Sequence, residues 1–166
     1  MRLPLRRMLC CAAAIVAVLG LGAQTASAQT YTLTATLTGA GENPGINTGA
    51  FGSATVTVDL SARTVTYRVD VYNLPSGVTA SHIHAGAVGT NGPVVVTFAP
   101  PVPASNDFGF SGTVRDTEFG LQPNAGIRSA DDMFQAILGE NSYVNVHSTV
   151  NGGGEVRGQQ IGRAHV

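Results

Sequence analysis

Between Tyr31 and Thr38 every second position is apolar: Tyr31, Leu33, Ala35 and Leu37 alternate with threonines. A period of two is the mark of a strand with one buried face. The pattern recurs with Ala54, Val56 and Val58 set against Thr55, Thr57 and Asp59, and again with Val65, Tyr67, Val69 and Val71 against Thr66, Arg68 and Asp70. The short polar link Ser61-Ala62-Arg63 joins the last two runs as a β-hairpin. Further strands are expected over 81–84, 93–98, 109–114, 143–148 and 155–161. Turn signals separate most of them: Asn-Pro-Gly at 43–45, Leu-Pro-Ser-Gly at 74–77, Thr-Asn-Gly-Pro at 90–93 and Asn-Gly-Gly-Gly at 151–154.

One segment departs from this period. Met133, Phe134, Ile137 and Leu138 fall at helical spacing behind Asp131 and Asp132, and paired acids suit a helix N-terminus. A short helix is therefore expected over 131–138, packed across an end of the sheets. About eight short strands with one helix predict an all-β fold, a Greek-key β-sandwich. The Pro- and Asn-containing stretch 99–107 reads as a crossing loop, because too few residues follow it for a second core.

The first residues follow another logic. Arg2, Arg6 and Arg7 precede an uncharged apolar run from Met8 to Gly22, and Ala26-Ser27-Ala28 supplies a small-residue cleavage pattern. Residues 1–28 are thus expected to be a signal peptide and 29–166 the domain, secreted or periplasmic. The run suits a signal better than a membrane span, so no stable membrane insertion is expected after cleavage. Arg6-Arg7 is similar to the pair of a twin-arginine export signal, but its surroundings are not. Cys10 and Cys11 precede most of the apolar run, which argues against a lipid anchor.

Removing the leader alters the charge. Both cysteines leave with it, so no disulfide or thiol chemistry is expected in the domain. Six Arg, no Lys and ten acids remain, a net charge of −4. That sign argues against nucleic acid and anionic membranes as partners.

Three of the four histidines fall in two motifs, His82-Ile83-His84-Ala85-Gly86 and Tyr143-Val144-Asn145-Val146-His147. Residues two apart on a strand share a face, so His82 and His84 point together while Ile83 points to the core. Asn145 and His147 share a face likewise, as do Glu155, Arg157 and Gln159. If these strands are neighbours, a polar face or shallow cleft contains three imidazoles. His82, His84 and His147 could then bind Cu or Zn with an open coordination position. They could equally form a structural hydrogen-bond network with Glu42, Asn145, Glu155, Arg157 and Gln159 nearby. Arg157 favours the network, because a fixed cation opposes a divalent ion unless Glu42 or Glu155 offsets it. His165 is placed in a tail. No catalytic set stands out: Ser81 and His82 face opposite sides, the Asp131–Asp132 pair suits capping, and Gly152-Gly153-Gly154 suits a hairpin turn.

The segments Leu37-Thr38-Gly39-Ala40-Gly41-Glu42-Asn43-Pro44, His82-Ile83-His84-Ala85-Gly86, Asn91-Gly92-Pro93-Val94-Val95, Tyr143-Val144-Asn145-Val146-His147 and Gly154-Glu155-Val156-Arg157-Gly158-Gln159 resemble, in order, those of the CHRD (chordin) domain. The similarity runs from about Tyr31 to Ile161. Such domains occur in animal chordins, extracellular binders of growth factors, and as stand-alone domains of exported bacterial proteins. The resemblance implies an extracytoplasmic module and carries over no catalytic residues. A narrower likeness concerns the histidines alone, which are similar to part of the copper site of Cu/Zn superoxide dismutase, also a β-sandwich. The chain departs from it after His84, where the seven residues before Gly92 contain no His, Asp or Glu to bridge or bind a second metal. That departure argues against dismutase activity.

Two functions follow as expectations. The first is a non-enzymatic binding or structural module for an extracellular protein or polymer, favoured by the acidic surface and the lack of a nucleophile. The second is a metal-binding protein using the three histidines, with redox activity open to it if the metal is copper.

Overall fold

The computed structural model describes residues 29–165, so the expected leader lies outside the described residues. The strands are β1 (Thr30–Thr38), β2 (Phe51–Asp59), β3 (Thr64–Leu74), β4 (Val78–Ala85), β5 (Val94–Thr97), β6 (Asn106–Arg115), β7 (Ser142–Ser148), β8 (Val156–Gln159) and β9 (Ile161–His165). Among the described residues a single α-helix, α1, spans Ala130–Leu138 between β6 and β7, beside three one-turn 3-10 helices. All strand pairs are antiparallel and run in the order β5-β4-β7-β8-β1-β2-β3-β6, with β9 also on β1. β8 returns beside β1 to give β8-β1-β2-β3, the spatial order of a Greek key with a long excursion.

Alternation explains the first half of this sheet. Leu33, Ala35 and Leu37 of β1, Ala54, Val56 and Val58 of β2, and Val65, Tyr67, Val69 and Val71 of β3 all point inward and are buried. Their threonine neighbours form an outer face on which Thr32 meets Thr57 at 3.1 Å and Thr66 meets Thr113 at 2.9 Å. Burying such a side chain contributes about 1.5–3 kcal/mol, so the inward registers of β1, β2 and β3 are strongly fixed.

The sheet curls until its two ends nearly meet. Tyr67 of β3 stacks on Phe98, just past β5, with ring centroids 3.8 Å apart, and its hydroxyl accepts the Ala99 N–H at 3.0 Å. The Gly120 N–H, beyond β6, donates to the Val95 carbonyl of β5 at 2.8 Å. Two halves of one curled sheet thus enclose one core, and the expected crossing loop 99–107 bridges β5 to β6, its last residues already in β6.

The helix begins one residue earlier than expected. Ser129 caps it by accepting the Asp132 N–H at 3.1 Å, and Asp131 and Asp132 occupy the first turn. Met133, Phe134, Ile137 and Leu138 are buried, with Phe134 edge-on to Phe119 at 5.3 Å. Arg63, in the β2–β3 turn, reaches both Asp131 and Asp116, which fixes the helix across that end of the sheet. No helix among the described residues is long and apolar enough to cross a membrane.

Two local expectations need correction. The run 155–161 is not one strand: Gln160 turns inward, is fully buried and accepts a hydrogen bond from the Ser142 hydroxyl. The chain then resumes along β1 as β9, so His165 lies in a strand opposite Tyr31 and not in a tail. The second correction concerns β7, which is buried on both faces from Ser142 to Ser148. Its polar side is covered by the loops around Glu42, Asn91 and Gly153, which leave a cleft open beside His84 and Asn145.

Candidate metal centre

β4 and β7 pair with His82 opposite Asn145 and His84 opposite Tyr143, which brings both histidines of β4 alongside the face that carries His147. One ligand nitrogen from each of His82, His84 and His147 lies within 4.8 Å of the others. The rings meet edge-on between His82 and His147, with centroids 4.9 Å apart, and at a tilt between His84 and His147 at 5.9 Å.

Backbone carbonyls set the tautomers. A carbonyl only accepts, so His147 must donate Nδ1–H to the Gly152 carbonyl at 3.1 Å, and His84 must donate Nδ1–H to the Gly92 carbonyl at 2.9 Å. In the neutral rings this leaves both Nε2 atoms as lone-pair donors to a metal. His147 Nε2 accepts from His82 Nδ1 at 3.1 Å, whereas His84 Nε2 is buried with no partner. A ring whose other nitrogen is tied to a carbonyl is the usual outer arrangement of a metal-binding histidine. The 3.1 Å between His82 Nδ1 and His147 Nε2 is close to the about 3.3 Å between two nitrogens on one tetrahedral ion, and binding there requires the His82 proton to move from Nδ1 to Nε2. His84 has to approach by a small ring movement.

Burial keeps the rings neutral. It pushes His82 down to about 4, with the neighbouring His147 and His84 adding to the effect. His84 and His147 are also lowered, mainly by burial, although their carbonyl partners act in the opposite sense. Neutral imidazole is the metal-binding form, so the three rings lose no net proton at neutral pH, and only the His82 tautomer has to change.

The polar residues expected around the histidines divide into separate groups. Glu155 is fully buried and accepts from the Thr48 hydroxyl, from the Ser148 hydroxyl at 2.7 Å and from Asn151 Nδ2 at 2.6 Å. Burial pushes its carboxyl up, but the donors of Thr48, Asn151 and Ser148 together hold it below the ordinary range. Arg157 donates to the Thr90 carbonyl at 2.6 Å and to Asn91 Oδ1 at 3.0 Å. Gln159 donates to the Gly86 and Glu140 carbonyls, and no side-chain bond joins it to the cluster. Only Glu42 and Asn145 pair with each other, Asn145 Nδ2 donating at 3.4 Å.

Tyr143 separates the imidazoles from Arg157. Its ring stacks on His84 with centroids 4.8 Å apart and planes 8° from parallel, while the Arg157 guanidinium covers the ring at 3.4 Å. The cation is thus absorbed by a π face and two oxygens, which weakens the objection it raised to a metal.

Pattern reading missed the two carbonyls, from Gly92 and Gly152, and the donor set on Glu155. The signal for the first was present. A Cβ at position 92 would lie 1.7 Å from the Ala85 carbonyl, so only glycine brings that backbone against His84.

The family model described as the CHRD domain matches residues 33–160. No curated protein and no solved structure matches the chain.

Proposed function

The chain belongs to the CHRD domain family, and from that footing we propose that it is an exported binding module which holds a divalent transition metal, Cu(II) or Zn(II), on His82, His84 and His147. The observation that carries this reading is His84 Nε2. A buried imidazole nitrogen without a partner costs free energy of about 1–3 kcal/mol, and a metal shared with the oriented His147 Nε2 would remove that cost. Three neutral nitrogens leave a coordination position for water or an outside ligand. The mixed nitrogen set suits Cu(II) and Zn(II) and does not suit Mg(II) or Ca(II), which prefer oxygen.

Export is part of the proposal and rests on the leader read from residues 1–28. A second reading, a module for a protein or polymer partner, is supported by Phe51 and Tyr72, which stack at 5.3 Å on the outer face and remain exposed.

Metal analysis and Cu(II)/Zn(II) titration of the exported protein test the first reading. Near-stoichiometric metal lost in His82→Ala and His147→Ala, with Cu(II) resonance split by nitrogen nuclei, is expected. Absence of binding at micromolar metal, with wild-type melting unchanged by metal, would overturn it and direct attention to Phe51 and Tyr72.

A further inference from the structure

Beside the histidines lies a cleft of about 360 Å³, bordered by Glu42, Pro44, Ile46, His84, Asn145 and Gly154. Its polar wall has an unusual bias. Glu42 Oε1, Asn145 Oδ1 and His84 Nε2 are all buried there without hydrogen-bond partners. All three are acceptors, or are so in the neutral ring, and no unpartnered side-chain donor borders the cleft among the described residues. Asn145 is itself only 3% exposed, and the cleft is the opening that it borders.

Charge is unbalanced in the same place. Glu155 is satisfied by neutral donors, and Arg157 by two oxygens and the Tyr143 ring. Glu42 has one long bond from Asn145 and no ion pair among the described residues. Burial accordingly raises its carboxyl to about 7, even though Arg157 and the Asn145 amide pull the other way and Glu155 adds slightly to the rise. A carboxylate kept from water in this way is relieved by a cation that brings its own donors.

Gly154 shapes the floor. At its φ of +141°, a Cβ would come within 2.5 Å of Glu42 Oε1 and 2.7 Å of Asn145 Oδ1. The glycine lets both oxygens sit side by side over its backbone. An anion is excluded by Glu42. A lone hydroxyl offers one donor and no charge, whereas an ammonium offers three donors and the missing charge.

We propose that this cleft binds a primary organic ammonium group, seated between Glu42 and Asn145 with its aliphatic part against Pro44 and Ile46. The two readings share only His84 Nε2 as an observation, and the ammonium is held by the Glu42 and Asn145 oxygens, which a metal on the imidazoles does not use.

The test uses n-butylammonium chloride and its neutral isostere 1-butanol on the ¹⁵N-labelled exported protein, kept metal-free with chelator. Saturable shifts of the Gly153, Gly154 and Asn145 resonances are expected with the amine and not with the alcohol. Glu42→Gln, checked for wild-type melting, should weaken the amine by at least about tenfold. His147→Gln should leave amine binding intact while losing metal, which separates the failure of one reading from that of the other. Equal response to the alcohol, unchanged affinity in Glu42→Gln, or no saturation by the amine would each overturn the proposal.

Discussion

Arg157 covers the ring of Tyr143, its guanidinium carbon 3.4 Å from the ring centroid, so a single buried cation organises both the β7–β8 pair and the loop before β5. The loop matters because it ends in Gly92, whose carbonyl orients His84 and whose N–H donates to the Tyr143 hydroxyl at 3.0 Å. Arg157→Lys keeps the charge but loses the guanidinium over the ring and one of the two oxygen contacts. It is expected to destabilise the protein by about 2–3 kcal/mol in urea unfolding. Metal affinity should fall with it, since Gly92 would no longer hold His84. A variant of wild-type stability would show that the ring contact is incidental.

Adjacent glycines should respond in opposite ways. Gly154 has φ +141° and no room for a Cβ against Glu42 and Asn145. Gly153 has open space around the same position. Gly154→Ala is expected to cost about 2 kcal/mol or more through backbone strain and displacement of both side chains. Gly153→Ala should stay within about 0.5 kcal/mol of the wild type. Comparable melting temperatures for the two variants would contradict this account.

The contrast shows what the chain discloses in one dimension. Alternation exposed β1, β2 and β3 because each has one wet face, and helical spacing exposed α1 because its caps stand beside its apolar face. The histidine cluster was legible as well, since a two-residue spacing puts His82 and His84 on one side of any strand. The division of the polar residues into separate groups was not. It depends on which loop folds over which strand, as when Thr48 reaches Glu155 from 107 positions away. The split at Gln160 was hidden for a similar reason: the partner of its inward oxygen, the Ser142 hydroxyl, lies 18 positions away, and its Nε2 is buried with no partner at all.

Glu155 gives a prediction about acid. Its carboxyl is held below the ordinary range by Thr48, Ser148 and Asn151, so the unfolded chain takes up the proton more readily than the folded one. The stability it supplies is present above its unfolded pKa and is lost as pH falls through the lower folded value. Glu155→Gln places an amide against donors that need an acceptor, and it is expected to cost about 2–4 kcal/mol at pH 7. The penalty should shrink in acid, where the wild type loses the same interactions. A penalty independent of pH would mean that the carboxylate contributes by shape alone.

Glu42 and His82 should pull the pH profile in opposite directions. His82 falls from an ordinary 6.5 to about 4 on folding, so between those values the unfolded chain binds more protons and stability rises with pH. Glu42 moves from 4.5 to about 7, so the folded chain binds more protons there and stability falls as pH rises. Over the shared interval, between 4.5 and 6.5, the two effects largely cancel. The lowered values of His84 and His147 leave a mild net rise. Removing one partner should uncover the other. Glu42→Gln is expected to steepen the rise by roughly half a kcal/mol per pH unit, and His82→Asn to flatten or reverse it by a similar amount, because solvent screening at these half-buried groups holds both well below the full linkage slope. Urea unfolding at several pH values, with chelator present so that metal cannot contribute, measures the three slopes. Parallel profiles would mean that neither group is buried enough to feel the fold, and would remove the electrostatic basis for a cation beside Glu42.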